Sequence, residues 1–499
     1  MIKLARVLVS TVSAMALVAP ALAQTALPQA QDSYFLSAQE QLAALIAQQP
    51  NTGKAKNVIL FVGDGMSVPT MTAARILDGQ NKGVDGESNI LALEALLSYT
   101  ALSKTYSHDG QVADSAPTAT AMLAGVKTLN GVIGVNQNVV LDDCSTLSGN
   151  EVTSLIELAE EAGLATGVVS TARITHATPA AAYAHTVERD WENDVTLAKG
   201  EKSAGCTDIA AQLVDWSFGD GLEVVLGGGR SNFMTAETAD PEYPEKMGAR
   251  ADGRDLVAEW QAKYTDGAYV WNQEQFDAVD TATTKHLFGL FEGSHMQYEA
   301  DRAKDAGGEP SLAEMTTKSI EMLSQNENGF VLVVEGGRID HAHHAGNAAR
   351  ALADTIALSE AVQAAYDAVN PEETLIVLTA DHSHVFSIAG YPERGNPILG
   401  IAGIADDGKP YTTLGYLNGP GAAVYEGEAP LAPEGADAEA PLTIRADLTA
   451  VDTADVDFLQ QSLIPLGSET HAGDDVAILA QGPWAHLFHG VSNRTLSTT

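Results

Sequence analysis

Five apolar runs constrain the fold of this chain more than any other feature: NVILFVG (57–63), LATGVVS (164–170), LEVVLGGG (222–229), GFVLVVEGG (329–337) and TLIVLTA (374–380). They do not alternate polar with apolar, so each is expected to be a strand covered on both faces. Helical patterns such as GNEVTSLIELAEEAG and ARALADTIALSEAVQAAYDAV lie between them. The alternation predicts an α/β fold, a mostly parallel central sheet with helices on both faces. Polar residues cluster at the C-terminal ends of these strands: Asp64, 171–173, Glu335 and Asp381 with His382. Open α/β sheets bind their ligands at that edge. Several separate strands therefore converge on one site.

The segment VVEGGRIDHAHHAGN (333–347) crowds a glutamate, an aspartate and three histidines behind a strand. If a helix begins there, Asp340 and His344 are four residues apart and share a face, a spacing that can bind one Zn²⁺. Glu335 at the strand end points elsewhere and can serve another ion. His341 lies beside Asp340, and His343 is expected to point away. Taken alone, the run is equally compatible with a polar helix start. TADHSH (379–384) adds Asp381 and His382, VGDGM adds Asp64 between permissive glycines, and SETHAGDD adds His471.

In VADSAPTATAML (112–123), Ser115 follows Asp114 and precedes Pro117, a residue favoured in a first helical turn. A serine there faces backbone N–H groups that favour an anion, although a plain capping role is as natural. No GxSxG motif is present, so activation by metal fits better than activation by histidine. Arg189 has the planar fork that clamps phosphate oxygens, and a surface ion pair is its alternative. His176 and Thr178 lie in the same segment, STARITHATPAAAYAHTVERDW.

The 499 residues carry a net charge of −39. Residues 1–23 resemble a cleaved secretory signal: basic Lys3 and Arg6, an apolar stretch, then ALA. Their removal takes away two basic residues and no acid, leaving −41. Such a charge opposes binding to nucleic acid or an anionic membrane. A soluble acidic surface and adaptation to high salt both account for it. An exported protein, periplasmic or secreted and without a membrane anchor, is expected. In an oxidising compartment, Cys144 and Cys206 are expected to pair. After the signal, SAQEQLAALIAQQP reads as a short amphipathic helix ended by Pro50. Residues from about 241 to 308 and from about 392 to 466 look inserted, the second being rich in Gly, Pro and acids.

Together VGDGM, DSAPTATAML, HATPAAAYAHTVERDW, VEGGRIDHAHHAGN, TADHSH and ETHAGDDVA resemble, in order, the motifs of the alkaline phosphatase family. The resemblance runs from about Lys56 to Val491 and is nearest to the animal-type branch, here in an exported bacterial member. It implies a phosphomonoester hydrolase of broad specificity, acting through a phosphoserine on Ser115. It implies a first zinc on Asp340, His344 and His471, a second on Asp64, Asp381 and His382, and a magnesium-type ion on Asp64, Thr178 and Glu335. It implies a phosphate clamp at Arg189, with His176, His341 and Asp114 contacting phosphate or supporting the ligands. His176 and His341 stand where some bacterial members carry Asp and Lys, which leaves the third ion's identity open.

The same resemblance implies a peripheral calcium site on Glu242, Phe291 (through its carbonyl), Glu292 and Glu309, and a Cys144–Cys206 disulfide. It implies a homodimer with an N-terminal helical arm (24–55), a catalytic α/β domain (56–391 and 467–499) and a crown-like insertion (392–466). A sulfatase on this architecture would need an arginine where Ala119 stands. A non-catalytic binding protein would need no nucleophile at Ser115.

Overall fold

The computed structural model describes residues 27–200, 202–422 and 445–492. The expected signal, part of the acidic stretch and the last residues of the chain fall outside them. The chain divides into two compact units at Pro50. The first contains one described helix, Ser33–Ala47, capped by the Asp32 carboxylate, which accepts from the Tyr34 and Phe35 N–H groups. It begins four residues before the amphipathic pattern, because Asp32 satisfies the free N–H groups of the first turn.

The second unit is built on a ten-stranded sheet. In chain order its first eight strands are β1 (Asn57–Gly63), β2 (Tyr99–Ser103), β3 (Ala165–Arg173), β4 (Val224–Gly228), β5 (Ala268–Val270), β6 (Leu287–Leu290), β7 (Phe330–Gly336) and β8 (Thr374–Ala380). Val476–Gln481 and Val491–Ser492 complete it. β1 lies between β7 and β8 and pairs in parallel with both. The strand Val476–Gln481 runs antiparallel to its neighbours β2 and β8, and every other pairing is parallel.

Successive side chains explain why the apolar runs do not alternate. Ile59 and Phe61 of β1 enter one core with Leu332 and Val334 of β7, beneath the helices Leu312–Leu323 and Ala348–Ala368. Leu60 and Val62 enter the opposite core with Val331 and Val333, beneath Ser115–Ala124 and Ile209–Val214. Both faces of the sheet are covered by helices, as the sequence pattern requires.

The stretch at 241–308, expected as an insertion, supplies β5 and β6 and so extends the sheet beyond β4. Its short strands and charged loops hid that role. The described residues of 392–466 form small sheets, Ile401–Ile404 with Pro410–Thr412, and Leu414–Gly419 with Ser462–Pro465 and with Phe386–Ile388, which precedes the stretch. The helix expected to run on from Ile339 is broken. Arg338–His344 ends before Gly346, whose φ of 68° suits glycine, and Ala348–Ala368 restarts under an Asn347 cap. Among the described residues, no helix is long and apolar enough to cross a membrane.

Candidate active site

The register of the sheet assembles the site. Val62 of β1 is level with Glu335 of β7 and Thr379 of β8, while Ser170 of β3 is level with Glu335. Asp64, Glu335, Asp381 and His382 consequently emerge side by side, all buried. Gly65 is needed for closeness: its φ is 66°, and a Cβ there would collide with the His384 ring. Its N–H donates to Asp381 Oδ1 at 2.8 Å.

Ser115 opens the helix Ser115–Ala124 and is 2% exposed. Asp114 caps that helix by accepting from the Ala116 N–H at 2.7 Å, and its second oxygen accepts from Gly131 N–H at 2.7 Å. The Ser115 hydroxyl donates toward Asp64 Oδ1 at 3.4 Å and lies 3.2 Å from His382 Nε2. His382 Nε2 also faces Asp381 Oδ2 at 3.2 Å and Asp64 Oδ1 at 3.3 Å.

Next to this group, Asp340 Oδ1 lies 3.4 Å from His344 Nε2, 3.3 Å from His471 Nε2 and 2.8 Å from His384 Nε2. His344 donates from Nδ1 to the Glu469 carbonyl at 2.6 Å, and His471 donates from Nδ1 to the Ala113 carbonyl at 2.9 Å. A backbone carbonyl on Nδ1 fixes the tautomer and turns Nε2 inward. Asp340, His344, His384 and His471 can together hold one ion, and so can Asp64, Asp340 and His382. His384 did not figure among the expected site residues, and with Nε2 donating to Asp340 Oδ1 it meets the site through that carboxylate. The signal was present in TADHSH, where His382 and His384 are two apart in an extended segment and so share a side.

Asp64, His176 and Glu335 form a third group able to hold an ion. Asp64 Oδ2, Thr178 Oγ1 and Glu335 Oε1 are buried without a hydrogen bond of ordinary geometry, whereas the other Glu335 oxygen accepts from Ser170. Buried oxygens are seldom left bare, so this donor set suits a cation. Burial, with Asp381, Asp340 and Glu335 nearby, pushes the Asp64 carboxyl well above its usual range. Burial, with Asp381 beside it, pushes Glu335 up to about 7. Burial also works against ionised Asp340, but His344, His384 and His471 outweigh it and hold this carboxyl well below the usual range. Three carboxylates gathered in a dry site favour positive charge among them.

Arg189 reaches the same edge from a loop, with Nη2 donating to His176 Nε2 at 3.0 Å and Nη1 3.4 Å from Asp114 Oδ1. The His176 and His341 rings lie 5.3 Å apart, and His295 lies 4.0 Å from His341. Burial drops His176 well below the usual histidine range, and His341 to about 3. His343 is not among the groups able to hold an ion and is a core residue. It is fully buried, bonded to the Thr70 and Tyr416 hydroxyls and stacked 4.8 Å from His384.

At a separate acidic group, Glu242, Glu292 and Asp305 come within reach of one ion. Phe291 is buried next in sequence to Glu292, and Glu309 is 2% exposed beside this group. Asp305 was missed in the sequence because it lies in the lengthened loop AKDAGGEP, which turns at Gly308 with φ 71°. Cys144 and Cys206 form a disulfide.

The alkaline phosphatase family model matches residues 55–498. The chain is 46% identical over 466 residues to the tissue-nonspecific alkaline phosphatase of Gallus gallus, covering 92% of this chain and 86% of the chicken protein. It is 45% identical over 455 residues to the alkaline phosphatase of Gadus morhua, covering 90% of this chain and 91% of the cod protein. Among solved structures, the Thermus thermophilus alkaline phosphatase aligns with a TM-score of 0.61 at 26% identity, over 91% of this chain and 92% of that one. The enzyme of the Antarctic bacterium TAB5 shares the fold, with a TM-score of 0.58 at 21% identity over 90% and 96%. Matched along nearly its whole length, and with a buried serine among ligand-type side chains at its strand ends, the chain belongs to the alkaline phosphatase family of metal-dependent phosphomonoester hydrolases.

Proposed function

We propose that the enzyme hydrolyses phosphate monoesters of broad structure through a phosphoserine on Ser115. The observation that carries this reading is the setting of the hydroxyl: buried at a helix N-terminus, it faces Asp64 and His382 together. Asp340, His344 and His471 would hold one zinc ion, and Asp64, Asp381 and His382 a second. The inward Nε2 atoms of His344 and His471 fit that role. Asp64, Thr178 and Glu335 would hold a magnesium-type ion, and their bare oxygens fit it. The His176 nitrogen beside Asp64 and Glu335 also admits a zinc-type occupant. A variant of the TAB5 enzyme has been solved with Mg bound in its M3 site.

When bound, the zinc ions supply Lewis-acid activation of the serine hydroxyl and stabilise charge on the departing oxygen. The chain contributes the rest. Asp64 orients the Ser115 hydroxyl, and the helix N-terminus behind it favours the incoming anion. Ser115 Oγ gives up its proton and forms a bond to phosphorus as the ester bond opposite breaks, and the departing oxygen takes up a proton and leaves as the alcohol. Arg189, aimed by Asp114 and His176, grips the non-bridging oxygens as charge redistributes. Burial works against its charge, but Asp114 and Asp64 outweigh that and hold its pKa up. Water then cleaves the phosphoserine, releasing phosphate and restoring Ser115. Local positive charge at the cleft has to overcome the acidic chain as a whole.

The wider reading includes a calcium ion at Glu242, Glu292 and Asp305, with Phe291 and Glu309 alongside. It includes export through residues 1–23, a homodimer, an N-terminal arm (24–55) and a crown-like region (392–466). The test is hydrolysis of a chromogenic phosphate monoester by wild type, by Ser115→Ala and by chelated enzyme. Both treatments should abolish turnover, and activity that survives both overturns the mechanism.

A further inference from the structure

Glu469 lies two residues before His471 and is 1% exposed. Both carboxylate oxygens are engaged. Oε2 accepts from His384 Nδ1 at 2.6 Å, and Oε1 accepts from the Val385 N–H at 2.9 Å. Its backbone is engaged as well. The carbonyl accepts from His344 Nδ1 at 2.6 Å, and the N–H donates to the His344 carbonyl at 2.9 Å. On its far side, His384 donates from Nε2 to Asp340 Oδ1 at 2.8 Å. One residue therefore fixes His344 through its backbone and reaches Asp340 through the His384 ring. The short segment it belongs to carries His471.

We infer that Glu469 is a positioning residue for the ion held by Asp340, His344 and His471, acting through His384, and that it governs how tightly this ion is retained. The inference rests on reading those three residues as a zinc site. Its physical basis is the geometry of a metal ligand held from behind. A carboxylate bonded to one ring nitrogen of His384 fixes the direction of the other, and with it the oxygen that Asp340 offers. Loss of such a partner typically costs 10–100-fold in metal affinity. A purely architectural role is the competing reading, since the same carboxylate also ties the 469 segment to the strand that begins at Phe386.

Zinc retention separates the two. Wild type, Glu469→Gln and His384→Gln are loaded with zinc alone, and its release to a colorimetric chelator is followed, with thermal unfolding of the metal-free proteins alongside. Glutamine keeps the volume of Glu469 but sets an amide where two donors already point. The expected result for E469Q is release of one zinc about 10-fold faster or more with the second unchanged, beside the modest drop in metal-free stability that the misplaced amide causes. H384Q should behave alike, and the double variant no worse than either single one. If E469Q does not fold, H384Q cuts the same link nearer Asp340 and carries the same expectation. Wild-type release rates in folded variants overturn the inference, as does uniform loss of both ions together with lowered metal-free stability. Wild type that takes up no zinc, or an Asp340→Asn variant that takes up and holds zinc as wild type does, overturns the zinc reading itself and this inference with it.

Discussion

Arg189 and His176 are joined side chain to side chain, Nη2 donating to Nε2 at 3.0 Å. That bond leaves the guanidinium fork aimed by histidine on one side and by Asp114 on the other. Lysine at position 189 would keep a charge but lose the second donor and the fixed plane. A charge-assisted hydrogen bond is worth about 1.5–3 kcal/mol, so kcat/KM for Arg189→Lys should fall roughly 10- to 150-fold. Inhibition by inorganic phosphate should weaken in parallel. Steady-state kinetics with phosphate as competitor checks this, and an unchanged phosphate inhibition constant would remove Arg189 from the clamp.

Glu160 and Glu223 meet where β3 begins. Glu223 Oε2 accepts from the Thr166 N–H at 2.6 Å, and Glu160 accepts from the Thr166 hydroxyl. Burial pushes Glu160 up to about 7 and Glu223 up to about 8, with each other's or neighbouring acids' charges adding to the rise. In the unfolded chain both would titrate near about 4.3. Between those values the folded protein holds more protons, so the contribution to stability is full below about 4.3 and is lost as pH rises through 7 to 8. Glu223→Gln should therefore flatten the decline between pH 5 and 8 and leave the protein more stable than wild type at pH 9. Urea midpoints across that range decide, and parallel curves for the two proteins would count against it.

The Cys144–Cys206 bond closes a loop of 62 residues and lies against a small core of Val132, Val135, Val139, Val187 and Trp191. Loop-closure entropy puts its contribution at about 4 kcal/mol. Arg189 lies in sequence between two members of that core. The double Cys→Ser variant should thus unfold at lower urea and show a larger rise in KM than fall in kcat. A wild-type urea midpoint in the double variant would refute this.

Much of the site was legible because strand ends in an open α/β sheet are few and fixed. Asp64, Glu335, Asp381 and His382 each follow an apolar run, and the register brings them level. Asp340 and His344 followed from helical spacing within Arg338–His344. Other features depend on contacts that spacing does not encode. Arg189 meets His176 through a loop, and Glu469 meets His344 across 125 residues. The break at Gly346 depends on a left-handed backbone in a run that otherwise reads as one helix. β5 and β6 are too short, and too deeply set among charged loops, for their place in the sheet to show in the pattern.

Glu242 is committed on both oxygens, to Arg230 at 3.0 Å and to the Gly307 N–H at 3.0 Å, while Glu292 accepts from Tyr243 and Gln297. Both Asp305 oxygens and one Glu309 oxygen are buried with no hydrogen bond of ordinary geometry. Burial, together with Glu242 and Glu292, pushes Asp305 up to about 7, and burial with Asp305 close by pushes Glu309 up to about 9. Oxygen donors this crowded match a hard cation such as Ca²⁺. Added calcium should raise the unfolding free energy of wild type once it exceeds the dissociation constant, growing with the logarithm of its concentration and reaching about 2.7 kcal/mol at 100 times that constant. Asp305→Asn removes one anionic donor and should shift the onset of that stabilisation to at least about 10-fold higher calcium, with Glu309→Gln shifting it less. The order matters because Asp305 shares the group with Glu242 and Glu292, whereas Glu309 also accepts from the Gln297 N–H. Equal calcium dependence in wild type and Asp305→Asn would place any calcium elsewhere on the chain.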